Sequence, residues 1–161
     1  MSTSLRLDSL RTAGVEFVAG VPCSFLAKFF AACDELPAAA MLRATREDHA
    51  VAACAGAWFA GRLPLAAMQN SGLGYCLEAL SSLHLMYALP LPMLVSDRGH
   101  PEDYEEHRFL GARTRRLLEL FEIPWREARE GAEGNDAEWL VGVAVAARKP
   151  AALLVGRGAD T

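Results

Sequence analysis

"LPLAAMQNSGLGYCLEALSSLHLMYALPLPMLVS", residues 63–96, decides the fold. It opens on an uncharged apolar run, 63–68, with the length of a strand. A polar turn, "QNSGLG" (69–74), breaks that run. "GYCLEALSSLHLMY" (74–87) then has the length of a helix, and "LPMLVS" (91–96) is a second short apolar run. Strand, helix, strand places the two strands parallel, because the chain must return over one face of the sheet. Runs apolar at successive positions belong to strands covered on both faces.

The same alternation extends outward. Residues 3–13 read as an amphipathic helix with Leu5, Leu7 and Leu10, stopped at Gly14. "VEFVAG" (15–20) is a strand, and "SFLAKFFAACDEL" (24–36) a helix with Ser24 placed as its N-cap. "AMLRAT" (40–45) is a strand. Thr45 caps the helix 46–61, with Asp48 three residues on in a capping-box arrangement. The run Ala50–Ala60 carries no charge, and a helix apolar on every side is a buried one. A helix through about 108–121, a strand 123–128, a helix 136–149 and a strand 151–156 complete the chain. "REGAEGND" (129–136) reads as a polar surface loop. The expectation is one α/β domain over residues 1–161: a three-layer sandwich with a central, mostly parallel six-stranded sheet and helices on both faces.

Composition narrows the function classes. The chain is 52% apolar with a net charge of −4 and 16 Lys plus Arg, so nothing suggests a nucleic-acid surface. The N-terminus lacks the apolar core of a signal peptide. The apolar run 83–95 is broken by Pro90 and Pro92 and interrupted by His84, so no membrane span is expected. Cys23, Cys33, Cys54 and Cys76 show no C-x-x-C spacing and read as packed free thiols in a reducing cytoplasm.

In open α/β sheets, sites form beyond the carboxyl ends of the strands. The loops there are "GVPCS" (20–24), "TRED" (45–48), "QNSGLG" (69–74) and "SDRGH" (96–100). Glu47 has two readings: a first-turn carboxylate complementing the helix dipole, or a carboxyl group that shares a proton with a ligand nitrogen. "QNSGLG" is either a capped strand-to-helix turn or a loop that lets a ligand approach. Its spacing is that of neither a dinucleotide fingerprint nor a P-loop. Cys23 reads as a packed thiol, with His49 as the one plausible base for a nucleophilic alternative. Arg98 either clamps an anion or pairs with Asp97 or Glu102 in solvent. His49, His100 and His107 take no assigned role, and no metal spacing emerges.

Taken together, "GVPCSFL", "TREDHAVAACAG", "MQNSGLG" and "PMLVSDRG" resemble the pyrimidine-binding domain of thiamine-diphosphate-dependent 2-oxoacid decarboxylases, over residues 10–156. The likeness is to the alpha subunits of sulfopyruvate decarboxylases and the matching part of phosphonopyruvate decarboxylases. It implies that Glu47 hydrogen-bonds the N1′ nitrogen of the cofactor's aminopyrimidine and favours the imino tautomer that deprotonates thiazolium C2. It also implies cofactor contacts at Pro22, Gly72 and Leu73, and substrate contacts at Ser24, Gln69, Asn70, Ser71 and Arg98. The reaction implied is decarboxylation of an anionic 2-oxoacid, sulfopyruvate or phosphonopyruvate, to the aldehyde.

The family's diphosphate and Mg2+ site carries a Gly-Asp-Gly segment, and none occurs in this sequence. A separate beta subunit is therefore expected to supply that half of the cofactor site, within a higher hetero-oligomer. The isolated chain is expected to be inactive. Two other readings stay open: a carboligase using the same cofactor, and a flavodoxin-like binding or regulatory module without catalysis.

Overall fold

The structure, a computed structural model, describes residues 5–157. Its helices are α1 (Leu5–Thr12), α2 (Ala27–Cys33), α3 (Glu47–Phe59), α4 (Leu73–Ala79), α5 (Glu105–Gly111), α6 (Thr114–Leu120) and α7 (Glu133–Ala147). Its strands are β1 (Phe17–Gly20), β2 (Met41–Arg43), β3 (Pro64–Gln69), β4 (Leu91–Ser96), β5 (Trp125–Glu127) and β6 (Pro150–Val155). The strands form one six-stranded sheet in the order β2-β1-β3-β4-β6-β5, and each pairing is parallel.

Side chains of the inner strands alternate between two cores, as the pleat requires. Val18, Leu65, Ala67, Leu94, Leu153 and Val155 pack under α1, α2 and α7. Ala19, Ala66, Met68, Met93, Val95 and Leu154 pack under α3, α4 and α6. Both faces are therefore covered, which is why β4 and β6 are buried at every position and lack an alternating pattern. No helix among the described residues is long and apolar enough to cross a membrane.

Several boundaries differ from the sequence reading. Residues 3 and 4 of the first expected helix lie outside the described residues. Ser24 does not cap a helix: it opens a 3-10 turn, Ser24–Leu26, and its hydroxyl is engaged by Arg98 at 3.1 Å. Thr45 does not cap α3 either. Arg46 holds that position without a side-chain cap, Thr45 Oγ1 lies 3.4 Å from His49 Nδ1, and Asp48 pairs with Arg46. Other polar partners outcompete the caps: the distant Arg98 for Ser24, and the neighbouring His49 and Arg46 for Thr45 and Asp48. The expected helix 108–121 is two helices, parted where Asn70 Nδ2 donates to Thr114 Oγ1 at the first residue of α6. The supposed surface loop 129–136 ends inside α7. Asp136 is fully buried, accepting hydrogen bonds from Arg126 and the Arg129 backbone and lying 3.8 Å from Arg6.

The helix expected at 74–87 runs as α4 and then a π segment, Leu80–Leu85. The π turn carries His84 inside, its Nε2 3.1 Å from the Val51 carbonyl and its Nδ1 3.3 Å from that of Leu89. Burial lowers the pKa of this imidazole. With the folded pKa below the unfolded one, near 6.5, the unfolded chain binds more protons as pH falls through that region. His84 should therefore cost stability below about pH 6.5. Urea midpoints compared at pH 7.5 and 5.5 are expected to fall less in His84→Gln than in the wild type. Equal falls would disprove the linkage.

The largest departure concerns α3. Ala50, Val51, Cys54 and Ala55 face the sheet and are buried. Ala52 and Gly56 lie exposed on the outer side, and Phe59 is 70% exposed. The expectation of a helix buried all round thus fails within this chain. Nothing in the chain's own described residues covers the apolar outer face. Tyr75 of the adjacent α4 is 61% exposed on the same side, with the Arg46 guanidinium over its ring at 5.0 Å.

Candidate functional site

From β1 the chain moves outward to β2, and from β3 it moves the other way to β4. The connections diverge there, so a crevice opens beyond the carboxyl ends of β1 and β3. The loops after those two strands, 20–24 and 69–72, form its walls. The first residue of α3 reaches over it, because α3 carries the chain from β2 back across β1 to β3.

Glu47 is that first residue, and it is half-buried. Its side chain lies directly on Gly72. A Cβ at position 72 would stand 2.2 Å from Glu47 Cγ, 2.4 Å from Cδ and 2.6 Å from Oε1. The carboxylate receives no hydrogen bond from another described residue. The structure therefore joins "TRED" and "QNSGLG", which are more than 20 residues apart in the chain. Leu73 lies beneath them in the core, 1% exposed, and opens α4.

Gln69 ends β3 and is half-buried. Its Nε2 donates to Ser71 Oγ at 2.5 Å, and its Oε1 lies 3.5 Å from Arg98 Nη1. Asn70 turns inward instead. It is 2% exposed, and its Nδ2 donates to the Arg98 carbonyl at 2.9 Å and to Thr114 Oγ1 at 3.0 Å. Asn70 thus fixes the backbone of the β4 loop. Ser24 and Pro22 are exposed on the opposite wall, beside a cavity of about 360 Å3 that Cys23, Phe30 and Arg43 also line. A larger cavity, about 750 Å3, lies at the amino ends of the strands between Arg11, Glu16 and Arg62, and no expected site residue lines it.

Arg98 does not pair with Asp97 or Glu102 in solvent. It is 6% exposed, and its counter-ion is Asp103. Nε donates to one Asp103 oxygen at 2.7 Å and Nη2 to the other at 2.6 Å. Nη1 is left facing Ser24 Oγ at 3.1 Å and Gln69. The guanidinium stacks on the Phe25 ring at 4.4 Å. Asp97 is taken by Arg115 at 2.7 Å and by His100 at 3.3 Å. Gly99 has φ +98°, a left-handed conformation in which side chains are strained, and its Cα face abuts the His107 carbonyl. That contact closes the β4 loop against α5.

Sequence reasoning omitted Asp103 here and gave His107 no role. Asp103 sits five positions after Arg98, a spacing with no secondary-structure period to flag it. His107, on α5, brings Nδ1 to 3.5 Å from Gln69 Nε2 and packs edge-on to Tyr104. His49 stays with Thr45 on the exposed side, and Cys23 Sγ donates to Ser96 Oγ at 3.1 Å, so those two form no nucleophile–base pair. Burial pushes the Cys54 and Cys76 thiols up, Cys76 to about 12, which keeps both protonated near neutral pH. Among the described residues, no group of three or more His, Cys, Asp or Glu could hold a metal ion.

The comparisons fit this geometry. The sulfopyruvate decarboxylase alpha subunit of Methanothermobacter thermautotrophicus is 36% identical over 129 residues, covering 80% of this chain and 78% of the relative. The phosphonopyruvate decarboxylase of Streptomyces viridochromogenes is 40% identical over 114 residues, which is 70% of this chain and 29% of that longer protein. A solved structure of 2-oxoglutarate:ferredoxin oxidoreductase from Magnetococcus marinus superposes with a TM-score of 0.68 at 16% identity. That match covers 96% of this chain and 29% of the other, and it shows a shared fold. No family model matches.

Proposed function

Because the chain belongs to the family of sulfopyruvate decarboxylase alpha subunits, we propose that it is the pyrimidine-binding subunit of a thiamine-diphosphate-dependent decarboxylase acting on sulfopyruvate or phosphonopyruvate. One observation carries this reading: the Glu47 carboxylate rests on Gly72, at the sheet's switch point, with no hydrogen bond from another described residue. A carboxylate so placed suits a ring nitrogen that needs a proton.

The residues present fit the aminopyrimidine half of the cofactor. Gly72 leaves the room that the Glu47 side chain occupies, and Glu47 supplies the acid. When bound, the cofactor would supply a nucleophilic carbon and accept the electron pair left behind as carbon dioxide departs. Glu47 holds the proton at N1′ and sets the ring's tautomer. Pro22 would line the opposite wall for the ring, while Gly72 seats Glu47 and Leu73 supports that turn from the core. Gln69, Ser71 and Ser24 present neutral polar atoms to the substrate, and Arg98 adds an N–H through Nη1. Asn70 acts from below by holding the Arg98 carbonyl.

A beta subunit bearing the diphosphate and Mg2+ half of the site completes this reading. The exposed apolar side of α3 and Tyr75, next to Glu47, gives such a partner a surface to cover.

The test is co-expression with a candidate beta chain, purification of the complex, and measurement of carbon dioxide release from both oxoacids with thiamine diphosphate and Mg2+. Release from at least one is expected, with neither chain active alone. A stable complex that releases none from either acid would overturn the proposal. Release that needs no partner would remove the subunit part of it.

A further inference from the structure

We propose that Asp103 is the positioning residue of this site: it sets the direction in which Arg98 offers its one remaining N–H face to Ser24, Gln69 and the substrate. The inference rests on the functional reading above for its catalytic arm, and on geometry alone for the rest.

The Asp103 carboxylate accepts four hydrogen bonds. Arg98 Nε and Nη2 supply two, at 2.7 and 2.6 Å, and the Gly99 and Tyr104 backbone amides supply two more, both at 2.9 Å. Four donors on two oxygens hold the carboxylate rigidly and keep its pKa well below the usual range, with Arg98 the chief cause. A planar fork bound along one edge has its opposite corner fixed in direction. That corner is Nη1, 3.1 Å from Ser24 Oγ and 3.5 Å from Gln69 Oε1. The Phe25 ring at 4.4 Å blocks rotation out of the plane. The two charges cancel, so what Arg98 contributes is an aimed donor more than a field. Its contact with Gln69 Oε1 also decides which way the Gln69 amide faces, leaving Nε2 for Ser71 and His107.

A merely structural Asp103 would act whether or not Arg98 is present. A positioning Asp103 acts through it, and a double-mutant cycle separates the two. In the assembled enzyme, Asp103→Asn is expected to lower kcat/KM about tenfold or more, and to add less than about twofold in an Arg98→Met background. The second readout is the Arg98 Nε–H resonance of the 15N-labelled chain, assigned by its disappearance in Arg98→Lys. It should be slowly exchanging in the wild type and lost in Asp103→Asn, while the remaining amide spectrum persists. Losses that multiply in the double variant, or an Nε–H signal unchanged by Asp103→Asn, would overturn the proposal. If the complex decarboxylates neither oxoacid, the functional reading fails, and the resonance still decides whether Asp103 aims Arg98.

Discussion

Glu47→Gln is expected to leave the assembled enzyme intact and lower its kcat about 100- to 10,000-fold, the range by which positioned proton transfer accelerates a reaction. The amide has the shape of the carboxylate, yet it can neither accept the proton nor hold it at a ring nitrogen. Fold and assembly should survive because the wild-type carboxylate takes no hydrogen bond from a described residue. What is lost is its favourable place at the amino end of α3, worth about 0.3–1 kcal/mol. Steady-state kinetics on the purified complex, beside melting temperature and gel filtration, will decide it. Turnover within about threefold of the wild type would mean that Glu47 moves no proton, against that expected range.

The architecture was legible because the sheet is parallel and doubly covered. Runs such as "LPMLVS" and "AALLVG" are apolar throughout for that reason, and β4 and β6 stand where those runs stand. The four polar loops after β1, β2, β3 and β4 were legible for a related reason. Polar residues have no place between packed layers, so they gather at the strand ends. Local signals did worse wherever another polar partner was available. Ser24 and Thr45 carry the right chemistry to cap a helix, but Arg98 and His49 engage them instead. The acidic residues of "EGND" looked solvated, yet α1 brings Arg6 against Glu133 and Asp136 in the interior. The outer face of α3 misled differently. Apolarity reports that a surface avoids water, and says nothing about whether the same polypeptide covers it.

Within the site, the sequence could name Glu47 and Gly72 but could not bring them together. Arg98 was visible as a cation after a strand, whereas its orientation depends on Asp103, which no periodicity marks. His107 reaches Gln69 across 38 positions of chain, a distance that only the folding of α5 over the β3 turn removes.

Gly72→Ala is the second large effect, and it tests the same contact from the other side. Gly72 has φ −72° and ψ −20°, an ordinary right-handed conformation, so alanine carries no backbone strain there. The added methyl would meet one neighbour first, the side chain of Glu47, at 2.2 Å from Cγ. Backbone packing gives no relief at such a distance, so the Glu47 side chain must swing away. Stability should change little, since the displaced group is half-exposed and can rotate toward the crevice. Activity should fall about 100-fold, because a shift of about 1 Å in a positioned group costs that much. The loss should also be confined to Glu47. In a Glu47→Gln background the alanine has no functional carboxylate left to displace, so Gly72→Ala should add less than about threefold there. Kinetics of the two single variants and the double one, with melting temperatures alongside, give the result. A full multiplicative loss in the double variant would show that Gly72 serves the cofactor or the fold by some route other than seating the acid.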